Sequence, residues 1–259
     1  MGSLIPVFTL KLYIMKMRSH LKRLFVDFPL CAAIKKKATK NQYHYLAHVM
    51  RMKDGENILL FNGENGEWLS NITYVGKDIV FEIVSQNKPQ TKKSNLHYIF
   101  SPIKTNRLEY MIQKSVEMGI GTLHPVVTQY TQNTHCNMDR MRSYAISAAE
   151  QCNTLTLPSI NPLIKLDCLL KNWDHNHQIV FADETCYQND SLAKLQNISH
   201  IPHIAILVGP EGGYHPKEKE KLHSLPFITP ISLGPRILRS DTAAVATMAL
   251  VQSICGDWY

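Results

Sequence analysis

Apolar residues fall in two different rhythms along the chain, and the change of rhythm divides it. Residues 22 to 34 and 56 to 84 show short apolar runs of the kind that form strands. In "NILLFNGENGEWLSNITYV" two such runs flank Asn62-Gly63 and Asn65-Gly66, a hairpin signal, and "DIVFEIV" follows as a further strand. "NQYHYLAHVMRMKDG" predicts one short helix closed by Gly55. Together these predict a small β-rich barrel carrying one helix. "SQNKPQTKKSN", residues 85 to 95, is polar and aperiodic and predicts a linker. Beyond it, apolar strands alternate with amphipathic helices. "LHYIFS", "TLHPVV", "QIVFAD", "IAILVG" and "ITPISLG" are the strands. "NRLEYMIQKSVEMG" places Leu108, Met111, Ile112, Ser115 and Val116 on one helical face. "DRMRSYAISAAEQC" does the same with Met141, Tyr144, Ala145, Ala148, Ala149 and Cys152. This alternation predicts a mostly parallel sheet with helices on both faces. The last helix, "DTAAVATMALVQSICG", has almost no polar side, which predicts burial all round: against a partner copy, or as a central helix of a monomer.

Charge adds a bias to this plan. The formal net charge is +7, and residues 1 to 53 hold eleven lysines and arginines against the single acid Asp27. Such a front end is either a phosphate-facing surface or a solvated basic face. No apolar run is long enough to span a bilayer, and "MGSLIPVFTLKLYIMKMRSH" lacks the basic start of a secretory signal, so a soluble, membrane-free domain beginning near Met17 is expected. Six scattered cysteines match no zinc module and suggest a reducing, cytoplasmic setting. His44 and His48 share a helix face at a spacing that can hold zinc, but no third ligand is evident, and no metal site is expected.

Two stretches fit neither rhythm. "ILVGPEGGYHP" ends a strand and then turns through Gly209, Gly212 and Gly213, which allow tight backbone approach to a ligand. It is neither a dinucleotide fingerprint nor a Walker loop. An adenine or amino-acid moiety suits it better than a pyrophosphate. "LGPRILRSDTAA" ends another strand and holds Arg236 and Arg239 in a bend between apolar elements. Leu233, Ile237 and Leu238 could sandwich a flat ring, with Gly234 turning the backbone and Pro235 stiffening it. Ser240 is the expected N-cap and Asp241 the first-turn acid of the following helix. Ligands of open α/β sheets sit beyond the carboxyl ends of strands, so two glycine-bearing strand ends predict one shared pocket.

With "KTNRLEYMIQKSVEMGI", "AAEQC", "LVGPEGG" and "LGPRILRSDTAA", the chain resembles the bacterial family that forms 3-methyluridine in small-subunit (16S) ribosomal RNA, within the SPOUT superfamily of methyltransferases. "LKRLFVDFPL" and "YHYLAHVMRMKDGENILLFNGENGEW" resemble that family's PUA-like barrel, so the likeness covers about residues 20 to 257. It implies an extension at 1–17, a PUA-like RNA-binding β-barrel at 18–88 and an α/β SPOUT domain with a trefoil knot at 94–259. It further implies a homodimer that binds S-adenosylmethionine and methylates 16S rRNA, within the assembled small subunit. Leu207, Val208, Gly209, Pro210, Gly213, Leu233, Gly234, Pro235, Ile237 and Leu238 match the cofactor loops. Arg18, Lys22, Arg23, Arg51, Lys104 and Arg107 are the cations expected to face RNA. The match is incomplete on that side. The family's arginine-threonine-glutamate is Arg239-Ser240-Asp241 here, Gln129-Tyr130 stand where Glu-Arg is frequent, and His48 and Thr154 stand at or near usual arginines.

The chemistry expected of such a site is specific. Uracil N3 becomes nucleophilic only after its proton leaves, when charge spreads onto both carbonyl oxygens. Arg239 is placed to favour that anion, and Asp241 or Glu211 to accept the proton, Glu211 having the alternative role of a loop anchor. Other readings are a SPOUT enzyme acting on a ribose oxygen or guanine N1, and a non-catalytic RNA-binding assembly protein. Binding of S-adenosylmethionine separates the last from the rest.

Overall fold

The computed structural model describes residues 21–103, 105–186 and 190–258. Two compact units meet in sequence between Thr91 and Lys92.

The first unit contains β1 (Arg23–Phe25), β2 (Lys35–Lys37), α1 (Lys40–His44), β3 (Asn57–Phe61), β4 (Glu67–Val75) and β5 (Asp78–Lys88). They form one five-stranded sheet in the order β1-β3-β4-β5-β2, with β1 parallel to β3 and the remaining pairs antiparallel. Phe61 lies opposite Glu67, so the predicted hairpin is present. The Asn62 side-chain carbonyl shapes its loop by accepting from the backbone N–H groups of Glu64 and Asn65, while Gly63 and Gly66 adopt positive φ. Alternation does the rest: Ile79, Phe81 and Ile83 of β5 join Ile58, Leu60, Ile72 and Leu46 in one core.

Two expectations need correction here. A capping box between Thr39 and Gln42 starts α1 as a regular helix, but from Tyr45 to Val49 it widens into a π turn. It therefore stops before Arg51, whose φ is +52°, and not at Gly55. The linker is also shorter than 85–95. β5 continues to Lys88, which pairs with Glu67 across an irregular register, and polar residues on both faces of that extension leave no hydrophobic alternation to reveal it.

The second unit runs β6 (Leu96–Phe100), α2 (Thr105–Glu117), β7 (Thr122–Val127), α3 (Met138–Cys152), β8 (Ser159–Ile160), β9 (Ile164–Lys165), α4 (Leu166–Lys171), β10 (Gln178–Ala182), α5 (Ser191–Ile198), β11 (Ile204–Val208), α6 (Pro216–Ser224), β12 (Ile228–Ile231) and α7 (Ser240–Cys255). The sheet order is β12-β10-β11-β6-β7-β8, with β9 also on β7, and every pairing is parallel. Near-continuous apolar strands, such as the fully buried Ile204–Val208, are what a parallel sheet covered on both faces requires. The predicted face of α2 is buried, and Gly119 ends the helix with φ +75°.

Within this chain, helix α7 is buried along one face. Ala244, Thr247, Met248, Val251 and Gln252 form a buried face against α2, α5 and β11. The Gln252 amide donates to the Met118 carbonyl at 2.5 Å. Val245, Ala246, Ala249 and Leu250 are only half-buried. No helix among the described residues is long and apolar enough to cross a membrane.

Candidate active site

The two glycine bends follow β11 and β12, which flank β10 in the sheet. All three strands are parallel, so their carboxyl ends open on the same side and line one cavity of about 390 Å³. Val208, Gly209, Pro210, Glu211 and Gly213 come from the first bend. Leu233, Gly234, Ile237, Leu238 and Arg239 come from the second. A hydrogen bond clasps the bends together: the Ser240 hydroxyl donates to the Gly209 carbonyl at 2.7 Å. Ser240 therefore does not cap α7. Arg239 occupies the cap position without a side-chain cap bond, and Ser240 is the first helical residue.

Three predicted site residues do not line the cavity. Leu207 lies behind it in the core, and Pro235 and Asp241 are not on its wall. The Asp241 carboxylate accepts from the Thr242 backbone N–H at 2.9 Å. Glu211 is on the wall and lies 3.5 Å from the Arg107 guanidinium, which brings a candidate base and a candidate RNA-binding cation together in one ion pair.

The wall also contains groups with no predicted role. Arg236 lines it, and Arg236 and Arg239 are both exposed without an ion pair among the described residues. From the end of β10 come Ala182, Asp183 and Glu184. The strand-end rule applied to "QIVFAD" would have found them. Asp183 is buried, which by itself would push its carboxyl up. Donation from the Thr185 backbone and hydroxyl, from His223 and from Lys219 overrides burial and holds it down at about 2. Asp183, Cys186 and His223 bring ligand-type atoms within 4.8 Å of one another, but these four donors already use the carboxylate. The His44 and His48 rings lie with centroids 4.9 Å apart, tilted by 57°. Tyr214 packs beneath Gly209, and burial raises its phenol pKa well above the usual value.

In the first unit, Arg23 is not an RNA-facing cation. Its guanidinium is buried, 2.6 Å from the buried Glu67 carboxylate and 4.3 Å from the centre of the Phe61 ring. A basic residue inside a strand pattern gives no sign of an acidic partner forty-four residues away. Lys22 is exposed and donates to the Met50 carbonyl, and Arg51 is exposed. Of the Lys35–Lys37 run, Lys35 pairs with Glu82 and Lys37 with Asp78. Arg18, Lys104 and the extension at 1–17 lie outside the described residues.

The sequence pattern of the RNA methyltransferase domain matches residues 90–252, and that of the RNA methyltransferase PUA domain matches residues 38–84. Ribosomal RNA small subunit methyltransferase E of Rickettsia conorii is 33% identical over 216 residues, covering 83% of this chain and 88% of that protein. The chain belongs to the ribosomal RNA small subunit methyltransferase E family. Among solved structures, the family's Neisseria gonorrhoeae enzyme bound to S-adenosyl methionine superimposes with a TM-score of 0.80 at 26% identity, covering 93% of this chain and all of that one. A Legionella pneumophila methyltransferase, also with bound cofactor, shares the fold at a TM-score of 0.80 and 24% identity, covering 90% and 98% of the two chains. The fold of the methyltransferase E family is thus present in both units.

Proposed function

We propose that this chain uses S-adenosylmethionine to methylate N3 of a uridine in 16S rRNA of the small ribosomal subunit. The observation that carries the reading is the shared cavity where two clasped backbone bends meet Arg239, which has no ion pair among the described residues. The cavity fits the methyl donor. A side chain at Gly209 would strike the Tyr214 ring at 2.6 Å, so the backbone lies flush with the cavity floor, and Gly213 turns with φ +69°. Val208, Leu233 and Leu238 give apolar walls for a flat base, and the backbone of 209–213 supplies its polar contacts. When bound, the donor supplies a methyl group already activated on a sulfonium.

The residues of the chain align and deprotonate the acceptor. Arg239 donates to a uracil carbonyl oxygen and lowers the cost of the N3 anion. Glu211 is the better-placed base. It lies on the wall, whereas Asp241 does not, and Asp183 is held at about 2 by four donors. Lys22 and Arg51 of the 18–88 barrel, with Arg107 of the 94–259 domain, serve RNA binding. The half-buried face of α7 serves a homodimer, which sedimentation at two protein concentrations tests. A cytoplasmic location goes with this substrate.

Transfer of labelled methyl to small-subunit rRNA, with mass mapping of the modified nucleotide, tests the reading directly. A methyl on a ribose oxygen or on guanine N1 would overturn it. Arg239→Ala is expected to lower transfer by about a hundredfold or more, the range for one lost charge-stabilising donor, with S-adenosylmethionine affinity within about twofold of wild type. Full activity in that variant would remove Arg239 from the chemistry.

A further inference from the structure

Resting on the function proposed above, the geometry points to Tyr130 as a stacking platform for an RNA base at the mouth of the cavity, a substrate-positioning residue outside both glycine bends. Tyr130 is 42% exposed, in the turn after β7. Of the large apolar side chains exposed among the described residues, it and Ile237, 88% exposed, abut the cavity. The contact runs through Gly212, a cavity-lining residue. A Cβ there would sit 3.3 Å from the Tyr130 Cβ, so the glycine leaves no side chain between the tyrosine and the opening.

The turn is held from several sides, so the ring is presented on fixed backbone. The Thr128 N–H donates to Thr131 Oγ1 at 2.8 Å, and the Thr131 hydroxyl donates to Ser101 Oγ at 3.1 Å. The Gln129 N–H donates to Glu218 Oε1 at 2.9 Å, while Glu218 Oε2 accepts from the His215 N–H and caps α6. The His215 ring stands edge-on to Tyr130 with centroids 5.8 Å apart. The tyrosine is thus braced by His215 while it remains partly exposed to water. Arg236 and Arg239, exposed and without an ion pair among the described residues, line the same cavity. An aromatic side chain beside exposed guanidiniums suits single-stranded RNA: the ring takes a base in a stack and Arg236 takes phosphate.

The test uses the full-length protein and a single-stranded oligoribonucleotide with 2-aminopurine beside the uridine. Binding is followed by anisotropy, stacking by 2-aminopurine quenching, and transfer by labelled methyl on small-subunit rRNA. Tyr130→Ala is expected to weaken RNA binding and kcat/KM for RNA by about tenfold, within the range for one lost aromatic–base stack. It should relieve the quenching and leave S-adenosylmethionine affinity within about twofold. Tyr130→Phe, which keeps the face and loses the hydroxyl, should behave as wild type. Unchanged RNA binding in Tyr130→Ala, equal losses in both variants, or a changed sedimentation coefficient in place of an RNA effect would each overturn the proposal. The last outcome would assign the ring to a protein contact. If the wild type binds RNA and quenches through Tyr130 but methylates another atom, the function proposed above fails and this one stands.

Discussion

Replacing Gly209 with Ala puts a methyl group in place of a hydrogen where the fold has little room for it. The new Cβ would lie 2.6, 3.1 and 3.2 Å from Cε2, Cδ2 and Cζ of Tyr214. Carbon atoms rest about 3.5–4.0 Å apart, so the ring must retreat by about 1 Å. It has nowhere to go cheaply: Tyr214 is buried in the sheet core, edge-on to Phe181 with centroids 5.3 Å apart. Interiors packed at crystal density transmit such strain to their neighbours, and one surplus methyl in a filled core typically costs about 1–3 kcal/mol. Gly209 is not among the glycines with positive φ, so the backbone itself accepts alanine and the contact alone is tested. The alternative to a moving ring is a moving backbone. That displaces the Gly209 carbonyl from the Ser240 hydroxyl and loosens the clasp between the bends. Urea unfolding should therefore show a loss of about 1–3 kcal/mol, and calorimetry a loss of S-adenosylmethionine affinity of about tenfold or more. Gly234→Ala is the control. Nothing lies within 4 Å of its added Cβ, but φ is +97°, so it should cost stability through backbone strain without an overpacked core. Wild-type stability and affinity in Gly209→Ala would refute the close approach of Tyr214 on which this reading of the cavity depends.

Two further predictions concern stability away from the cavity. Glu67→Gln leaves the buried Arg23 guanidinium without its charge partner and should destabilise the first unit by about 3 kcal/mol, read by urea unfolding, because a buried pair broken on one side leaves an uncompensated charge. His97 and His124 face each other at 3.0 Å, and Asn161 donates to the other ring nitrogen of His124, so both imidazoles are held neutral. Burial lowers both pKa values to about 4, for His97 with help from the His124 and His177 charges. The unfolded chain takes protons at these positions from pH 6.5 downward while the folded one does not, so stability should fall as pH drops from 6.5 to about 4 and level off below. Discounted for partial exposure and coupling, the loss is about 2 kcal/mol, and His124→Gln should flatten the pH profile of the urea midpoint in that window. The depressed Asp183 carboxyl acts only below its ordinary value of 3.8, which keeps the two effects apart.

What was legible in the sequence follows from how each element declares itself. Helices α2 and α3 were readable because a full apolar stripe must face the sheet. Helices α5 and α6 each bury a single leucine, Leu195 and Leu222, so they leave no stripe to read. The cavity was legible because glycines after two strands mark backbone that must bend at the sheet's ligand-binding edge. Its partners were not. Whether Glu211 meets Arg107, or Ser240 meets the Gly209 carbonyl, depends on strand order, and strand order leaves no local pattern. The same holds for Arg23, whose charge suggested solvent until Glu67 was found beside it.

Strand order also sets where the charged groups of the cavity lie. β10 lies between β11 and β12, so the two bends stand two strand spacings apart, about 10 Å, with the end of β10 between them. That gap suits a nucleoside lying across β10, and it places Asp183 and Glu184 along the cavity beneath it. Asp183 is buried, whereas Arg236 and Arg239 are exposed on the second bend. The Asp183 charge at the inner end is met by Lys219, and the rim carries both signs, with Glu184 and Glu211 exposed on the same wall as the two arginines. In the proposed reaction the donor is a sulfonium cation with an ammonium group, and the acceptor is a polyanion. The two guanidiniums exposed on the second bend favour RNA at the rim. Charge reversal there, as in Arg236→Glu, should weaken RNA binding, read by anisotropy, while leaving the buried Asp183 carboxylate untouched.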